Sequence, residues 1–327
     1  MRILFRTEGN HTQGMGDVFG SLAIAEQFNA RDDEVLFLIS GGPACDVLRN
    51  HGYKFDIANS VEDERRTLHT FSPDAVVVNK LNNSPTEIAA LQSGAFIVTI
   101  DDSGEGARFA DLNINVLYPI PGSVSDLKYV ALRHAFADAH ARRKQLRETV
   151  SDILVMQGGS DTYGFIPMLI RALPGTRLDL HFTIVVGPAF RHHSELHTAL
   201  RNSAINATVA ENPASIISLM ESADVAISAG GITMFELCCL GVPSIIVCAE
   251  RFEISTADRL EREGAVINVG FGGDLHPKRL NQTLNALIAD SLMRSSLSAN
   301  GHRLIDGRGS ERIAELLRTR AVRLTQR

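Results

Sequence analysis

The sequence lacks the features that mark several large classes of protein. Its 327 residues carry a net charge of −6 and contain no block rich in Lys and Arg. Nucleic acid is therefore not expected as the main partner, because nucleic-acid binding depends on clustered positive charge. No apolar run is long enough to span a bilayer, and the chain enters a predicted strand at residues 3–5 without the apolar core of a signal peptide. We expect a cytoplasmic protein without an integral membrane segment.

Cysteine is also scarce, and adjacent acidic residues form no obvious metal motif. The spacing of the four cysteines fits no metal site. Cys238, Cys239 and Cys248 lie in apolar segments, where free Cys behaves as a small hydrophobe, and the fourth cysteine is Cys45. Asp101 and Asp102 are neighbours, but adjacent carboxylates after a strand point in different directions and no third ligand is spaced nearby. We expect a reducing environment, no metal and no other cofactor.

What the sequence does contain is a regular alternation of short apolar runs and longer amphipathic segments, which is typical of parallel sheets covered by helices. The predicted strands fall into two series, residues 3–5, 34–39, 75–78 and 96–100, and residues 153–156, 181–186, 207–209, 225–227 and 244–247. A polar segment over residues 136–149, predicted as a helix that leads into a connection, separates the two series. The pattern predicts an α/β protein of two doubly wound domains, residues 1–149 and 150–327, facing a central cleft. It does not indicate the oligomeric state.

The most informative stretch is residues 228–236, Ser-Ala-Gly-Gly-Ile-Thr-Met-Phe-Glu, between an apolar run and a helical segment that extends through Leu240. A strand that passes through small residues into a helix presents free backbone N–H groups and a positive dipole end, which together hold a phosphate. Glu236 follows about a turn and a half later, where a carboxylate can accept hydrogen bonds from a ribose diol. The alternative is an ordinary turn whose glycines serve only close packing.

Polar or glycine-rich segments follow five predicted strands, at residues 7–17, 101–103, 157–161, 228–236 and 249–256. The carboxyl ends of parallel strands share one edge of a sheet, and ligands of open α/β folds bind there. We expect these segments to line the ligand site.

Five segments of the chain resemble a known family of nucleotide-sugar enzymes: residues 5–6 with 14–16, 101–102, 156–161, 227–243 and 305–309. They look like the hydrolases that release UDP from UDP-2,4-diacetamido-2,4,6-trideoxyaltrose during pseudaminic acid synthesis, and like spore-coat polysaccharide proteins. The resemblance covers nearly the whole chain. It implies a GT-B fold with two Rossmann-like domains, a UDP-sugar bound mainly by the C-terminal domain, and no metal requirement. Relatives include the glycosyltransferase that adds N-acetylglucosamine to a lipid-linked muramyl peptide.

The resemblance implies roles for individual residues of the second half. Gly230, Gly231 and Thr233 are expected to contact the diphosphate, and Glu236 the uridine ribose. The remaining implied nucleotide contacts are Gly158, Gly159, Ser160 and Ser228. Uracil recognition is expected from backbone groups near residues 187–188 and 212–214. The turn at residues 306–309 resembles the one that precedes the family's final helix, which packs back toward the first domain.

The first half departs from the family at the predicted catalytic position. The hydrolases carry Gly-x-Gly-His in the N-terminal loop and then Met-Arg, whereas this chain has Gly14, Gly16 and then Asp17, with both the His and the Arg missing. Asp17 is a candidate base for activating water, with a helix N-cap as the alternative. His11 in the same loop is a second candidate, or a solvent-facing residue. Gly14 and Gly16 are expected beside the substrate.

Three other residues bear on the substrate. Asp102 is interpreted as a residue of the ligand cleft that orients substrate or water. The hydrolases usually have Asp where this chain has Asn79, and Asn-Gln where it has Phe252 and Glu253. Glu253 is a candidate for binding sugar hydroxyls, with an exposed loop carboxylate as the alternative.

The leading hypothesis from the sequence is an enzyme that cleaves the bond between an anomeric carbon and UDP with water as acceptor, in surface glycan or nonulosonic acid biosynthesis. Two alternatives remain open. One is a GT-B glycosyltransferase that uses the same UDP-sugar donor, and the other is a catalytically weak nucleotide-binding protein that kept the nucleotide site after losing the histidine.

Overall fold

The computed structural model describes residues 1–28, 33–173 and 180–325. It divides into two compact units, the first formed by Met1–His134 with Gly307–Arg327 and the second by Ala135–Asp306. In chain order the strands are β1 (Arg2–Thr7), β2 (Glu34–Ile39), β3 (Phe55–Ile57), β4 (Ala75–Asn79), β5 (Phe96–Ile100), β6 (Leu112–Ile114), β7 (Asp152–Met156), β8 (His181–Val186), β9 (Asn206–Glu211), β10 (Val225–Ser228), β11 (Ser244–Cys248) and β12 (Ile267–Phe271).

The helices described lie mostly between these strands. They are α1 (Gly16–Ala25), α2 (Pro43–Asn50), α3 (Val61–Phe71), α4 (Pro85–Ala90), α5 (His134–Ala141), α6 (Phe165–Ala172), α7 (His193–Arg201), α8 (Ile216–Ser222), α9 (Ile232–Leu240), α10 (Ile254–Arg262), α11 (Pro277–Ala289), α12 (Ser291–Leu304) and α13 (Gly309–Thr325). Within the described residues, no helix is both long and apolar enough to cross a membrane.

The first unit is built on a six-stranded parallel sheet in the order β3-β2-β1-β4-β5-β6. Its central strands are continuous apolar runs because helices cover both faces of the sheet, and β4 is buried at all five residues. Leu4, Val76, Val78 and Ile97 form the core of one face.

The second unit repeats this architecture with a six-stranded parallel sheet in the order β12-β11-β10-β7-β8-β9. Ile153, Val155, Ile184 and Ile227 belong to its core. In both units the first and fourth strands of the unit lie side by side, β1 beside β4 and β7 beside β10. The predicted fold class, α/β with two doubly wound Rossmann-like sheets, is confirmed.

The structure adds three edge strands that the sequence pattern did not predict, β3, β6 and β12. The first two have only three residues each, which is too short for a periodic signal. The segment 136–149 was predicted as a helix that leads into a connection, and the structure places the change at Ala141, where α5 ends, with Arg143 in a left-handed conformation with φ of 43°.

The segment that connects the two series of strands is tied to the second unit. Arg142 and Lys144 both bond Glu221, the first to its carboxylate and the second to its carbonyl oxygen. Arg147 contacts the buried carboxylate of Asp224 at 3.2 Å. The division into units therefore falls between His134 and Ala135, whereas we expected a boundary near Val150.

Helix α13 belongs to the first unit. The Ser310 hydroxyl donates to the carbonyl of Leu132 at 2.7 Å, and Arg318 donates to the carbonyl of Gln27 at 2.7 Å. A side chain at Gly309 would place its Cβ 2.0 Å from the Val130 carbonyl oxygen. The turn at residues 306–309 thus needs glycine at position 309 for packing, and this structural role accounts for the glycine there.

Arg294 on α12 is the largest buried charged residue of the second unit, with 2% of its surface exposed. Its guanidinium donates to the carbonyls of Leu287 and Ile288 at the end of α11, at 3.0 and 2.6 Å, and to the carbonyl of Glu148 at 2.5 Å. A cation at a helix C-terminus is favourable because it meets the negative end of the helix dipole. Arg294 therefore joins α11 to the segment before β7.

We expect Arg294→Met to lower the free energy of unfolding by about 3 kcal/mol, because removing the guanidinium leaves buried carbonyls unpaired. Urea unfolding followed by circular dichroism measures the change. Arg303→Met on the same helix is the matched control, since Arg303 is 62% exposed and makes an ion pair at 3.9 Å, and it should change stability by less than about 0.5 kcal/mol. Equal losses in the two variants would contradict this role of Arg294.

Candidate functional site

The candidate site of the second unit lies where β7 and β10 are neighbours, with Met156 paired to Ser228. The connections that leave these two strands run to opposite sides of the sheet, and the crevice at such a switch point is where ligands of open α/β folds bind. The segments at this edge are residues 157–164 after β7 and residues 229–231 after β10. Both carry the glycine pairs that the sequence singled out.

Helix α9 begins at this edge with a glycine at its N-cap. Gly231 has extended backbone geometry, with φ −83° and ψ −152°, and Ile232 is the first helical residue. Because Gly231 has no side chain, the N-cap supplies no oxygen to the N–H groups of the first turn. These groups, together with the helix dipole, attract an anion.

One side of α9 remains partly exposed. Thr233, Met234, Phe235 and residues 237–240 are buried, whereas Ile232 and Glu236 are not. Residues four apart share a face of a helix, so Glu236 lies on the same side as Ile232, about 6 Å further along the axis. Thr233, in the first turn, keeps 9% of its surface exposed. The carboxylate of Glu236 thus lies one turn from the start of α9, where the free N–H groups suit a phosphate.

Ser228 takes a different role from the one we expected. Its side chain is fully buried, and its hydroxyl donates to the carbonyl of Ala229 at 3.3 Å. Its hydroxyl is therefore engaged inside the turn, whereas the sequence predicted a nucleotide contact for it.

The segment after β7 approaches the segment after β8 very closely. Gly158 has a left-handed backbone with φ of 67°, which favours glycine. A Cβ on Gly187 would lie 2.6 Å from the Cα of Gly159, and the Ala189 N–H donates to the Gly159 carbonyl at 3.0 Å. Gly187 is thus required by the packing of the two segments and Gly158 is favoured by its backbone conformation, whether or not a ligand is bound.

Ser160 and Asp161 fix the shape of this segment. The hydroxyl of Ser160 is buried and lies 2.9 Å from that of Thr162. The carboxylate of Asp161 accepts the N–H groups of Phe165 and Ile166 at 2.7 and 2.9 Å, and so caps the start of α6. Ser160 therefore has a hydrogen-bond partner inside the loop, in addition to any ligand contact.

Gln157 is a feature that the sequence did not single out. It follows β7 directly, only 3% of its surface is exposed, and neither atom of its carboxamide has a hydrogen-bond partner. An unpaired buried amide costs free energy. Gln157 lies at the switch point, where a bound polar ligand would supply the missing partners.

Glu253 lies at the start of α9 rather than in an exposed loop. Its side chain is 7% exposed, and its carboxylate accepts the N–H of Ala249 at 2.8 Å and that of Glu250 at 3.3 Å. The N–H of Gly230 is a further donor to it. Burial raises the pKa of Glu253 to about 7, although these N–H bonds act in the opposite direction. The exposed-loop alternative is therefore wrong.

The segment after β11 also contacts the segment after β7. The phenol of Tyr163 donates to the carboxylate of Glu250 at 2.7 Å. Backbone and side-chain bonds thus join the segments that follow β7, β8, β10 and β11 along one edge of the sheet.

The corresponding edge of the first unit is acidic. Asp17 is the second residue of α1, and its carbonyl accepts the side-chain N–H of the buried Asn79 at 3.0 Å, which fixes the start of the helix beside β4. The N-cap is Met15, so the alternative in which Asp17 caps the helix is wrong. Residues 10–14 form a tight turn, closed by paired backbone bonds between Asn10 and Gly14. His11 lies in this turn.

Burial raises the pKa of Asp17 to about 8, with further contributions from the negative charges of Asp101, Glu8 and Asp102. Asp101 also has a raised pKa, about 6, because burial outweighs the N–H bonds that it accepts from Val116 and Leu117. Two carboxyl groups with pKa values well above the usual range, one at the start of α1 and one just after β5, are close enough to interact. A cluster of this kind is typical of sites that transfer protons.

Asp102 is structural rather than a cleft residue. It is fully buried, and its carboxylate accepts the backbone and side-chain N–H groups of Asn83 and the N–H of Gly104, at 3.1, 2.8 and 2.8 Å. It holds the segment after β4 against the segment after β5, and cannot reach a substrate. Among residues 1–28, 33–173 and 180–325, no group of three or more His, Cys, Asp or Glu side chains is placed to hold a metal ion.

Comparison with known proteins agrees with this fold. Residues 144–308, half of the chain, match the glycosyltransferase family 28 C-terminal domain, and the chain belongs to this family. It is 24% identical to the spore coat polysaccharide biosynthesis protein SpsG of Bacillus subtilis (strain 168), over 97% of this chain and 98% of that protein.

Two solved structures show the same GT-B fold. MurG of Acinetobacter baumannii has a TM-score of 0.70 at 14% identity, covering 98% of this chain and 100% of that one. The UDP-GlcNAc 2-epimerase of Neisseria meningitidis bound to UDP-GlcNAc has a TM-score of 0.60 at 15% identity, with the same coverage of 98% and 100%.

Proposed function

We propose that this protein is a glycosyltransferase that uses a UDP-sugar donor in surface polysaccharide synthesis. The observation that carries the proposal is the start of α9, where a glycine N-cap leaves first-turn N–H groups at the switch point of a family 28 domain. Glu236, on the partly exposed side of the same helix, supports a nucleotide over a simple phosphate. Gln157 supports a polar ligand at the same edge.

In the proposed complex, Gly230, Gly231 and Thr233 bind the diphosphate and Glu236 binds the ribose. Gly158 and Gly159 allow the backbone to approach the diphosphate or sugar. When the bond between the anomeric carbon and the diphosphate oxygen breaks, the electron pair leaves with UDP. The N–H groups and dipole of α9 stabilise that negative charge. The choice of UDP rests on the family resemblance and on the epimerase, whose structure contains UDP-GlcNAc.

The acceptor hydroxyl must lose a proton as its oxygen bonds to the anomeric carbon. We propose Asp17 as the base, because its pKa of about 8 is far better matched to an alcohol or water than that of an ordinary carboxylate. Gly14 and Gly16 shape the turn before it, and His11 in that turn is the alternative base.

Hydrolysis is the second candidate function, with water in place of the acceptor. It is favoured by the position of Asp17, which follows the Gly14-Met15-Gly16 loop where the hydrolases of the pseudaminic acid pathway carry His. The match to the glycosyltransferase family 28 C-terminal domain supports transfer as the first candidate.

The nucleotide site is tested by Gly231→Val. The added side chain would cover the N–H groups at the start of α9, although its Cβ has room 3.4 Å from the nearest carboxylate oxygen of Glu253. We expect the affinity for UDP, measured by calorimetry, to fall about 100-fold, which corresponds to about 2.7 kcal/mol. Asp290→Val at the N-cap of α12 is the control and should leave UDP affinity unchanged. Unaltered binding in Gly231→Val would remove the phosphate role of α9.

Transfer and hydrolysis are separated by measuring UDP release from UDP-amino sugars with and without saccharide or lipid-linked acceptors. A transferase should release UDP slowly alone and at least about tenfold faster with its acceptor, because the base then has a positioned hydroxyl to deprotonate. Equal release in both conditions would show a hydrolase. UDP binding without release under either condition would indicate a binding protein and contradict both enzymatic proposals.

The role of Asp17 is tested by the pH dependence of kcat at saturating donor. The base must be deprotonated, so kcat should rise about tenfold per pH unit below pH 8 and level off above it. Asp17→Asn should lower kcat by about 100-fold or more. Asp101→Asn, which removes a neighbouring negative charge, should move the midpoint to lower pH. The exposed Asp46→Asn on α2 is the control. If Asp101→Asn leaves the midpoint of the kcat–pH curve unchanged, Asp17 is excluded as the titrating group.

A further inference from the structure

We propose that Glu253 is an internal anion at the start of α9 that competes with the nucleotide, so that the diphosphate binds together with one proton taken up by Glu253. The inference rests on the proposed nucleotide site and adds a regulation to it. It assigns to Glu253 a function other than the sugar contact that the sequence suggested.

The geometry places the carboxylate beside both glycines of the helix start. A Cβ on Gly230 would lie 3.1 Å from one carboxylate oxygen of Glu253, and a Cβ on Gly231 would lie 3.4 Å from the other. The carboxylate also bonds the N–H of Gly230. It therefore satisfies part of the same donor set that is proposed for the diphosphate, in the way that a phosphate would.

The charges around Glu253 make its ionised form unfavourable once a diphosphate is present. The groups that face it are Glu250 in its own segment, Tyr163 from the segment after β7, and Cys248 at the end of β11. Glu236 is the ionisable residue further along α9. The nearby guanidinium of Arg251 is exposed and paired with Asp274 at 3.0 Å. Among these groups Glu250 carries a negative charge, whereas the raised pKa values of Tyr163 and Cys248 keep the phenol and the thiol neutral. A diphosphate at this helix end is therefore repelled by Glu250 and by ionised Glu253, and the repulsion from Glu253 disappears when Glu253 is protonated.

Glu253 is able to take up this proton near neutral pH. Its buried carboxyl has a pKa of about 7, so the protonated and ionised forms are both populated there. A diphosphate raises this pKa further, because it stabilises the neutral form relative to the ionised one. Affinity is then greatest below pH 7, and it falls as the pH rises above 7 by up to about tenfold per pH unit.

The test is a calorimetric titration of the full chain with UDP between pH 7 and 9, a range in which the terminal phosphate, with a second pKa of about 6, is already ionised. For the unmodified protein we expect affinity to fall at least about tenfold from pH 7 to 9. Titrations at pH 8 in buffers of different ionisation enthalpy should show uptake of nearly one proton per UDP.

Glu253→Gln keeps the size and an oxygen acceptor but has no proton to gain. It should bind UDP with nearly the same affinity from pH 7 to 9, more tightly than the unmodified protein at pH 9, and without proton uptake. Glu250→Gln is the matched control and should keep the pH dependence. Circular dichroism checks the fold of each variant. If Glu253→Gln does not fold, the number of protons taken up per UDP by the unmodified protein still tests the inference.

The outcomes separate this inference from the proposed function. UDP binding that is independent of pH in the unmodified protein, or pH dependence that persists in Glu253→Gln, would overturn the role of Glu253 and leave the nucleotide site intact. A failure of both proteins to bind UDP at any pH would overturn the nucleotide site, and the role of Glu253 with it.

Discussion

The constraint on which the second unit depends is the need to satisfy the N–H groups at the start of α9. Helix α9 is buried along most of its length and begins with glycines that offer no side-chain oxygen, and buried N–H groups without partners are costly. The carboxylate of Glu253 accepts the N–H of Gly230, the residue just before the N-cap of α9. It fits there because Gly230 has no side chain, since a Cβ on Gly230 would lie 3.0 Å from the Cβ of Glu253. Glycines and free backbone N–H donors suit this helix end to a phosphate, and the same two features allow the carboxylate of Glu253 to bind there.

The two units share one sheet topology, but the groups at the carboxyl edges of their sheets differ in charge. In the second unit the carboxyl edge of the sheet collects glycines and backbone N–H donors, which suits an anionic ligand. In the first unit the same edge collects Asp17, Asp101 and Glu8, and their burial and mutual repulsion raise the pKa of Asp17 to about 8. In the proposed function, the donors of the second unit stabilise a leaving diphosphate and Asp17 of the first unit accepts a proton.

Sequence reasoning was most reliable where the signal was local. The start of α9 at Ile232 and its end at Leu240 follow from a glycine pair after an apolar strand and from Gly241, which adopts a left-handed C-cap. It was least reliable for polar side chains next to these elements. Ser228 and Asp102 were expected at a ligand, yet both are fully buried and bonded within the protein, and Gln157 was not singled out although its amide has no partner.

The sequence by itself determined the α/β class, the central strands and the helix start that presents N–H groups, because these depend on hydrophobic period and on residues adjacent in the chain. Only the tertiary structure decided which of the candidate carboxylates have raised pKa values. Glu253 and Gly230 are distant in sequence, and Asp17 acquires its high pKa from Asp101, which follows a different strand. Burial and neighbouring charge set the protonation of a group, and both arise from packing between segments that no local pattern encodes.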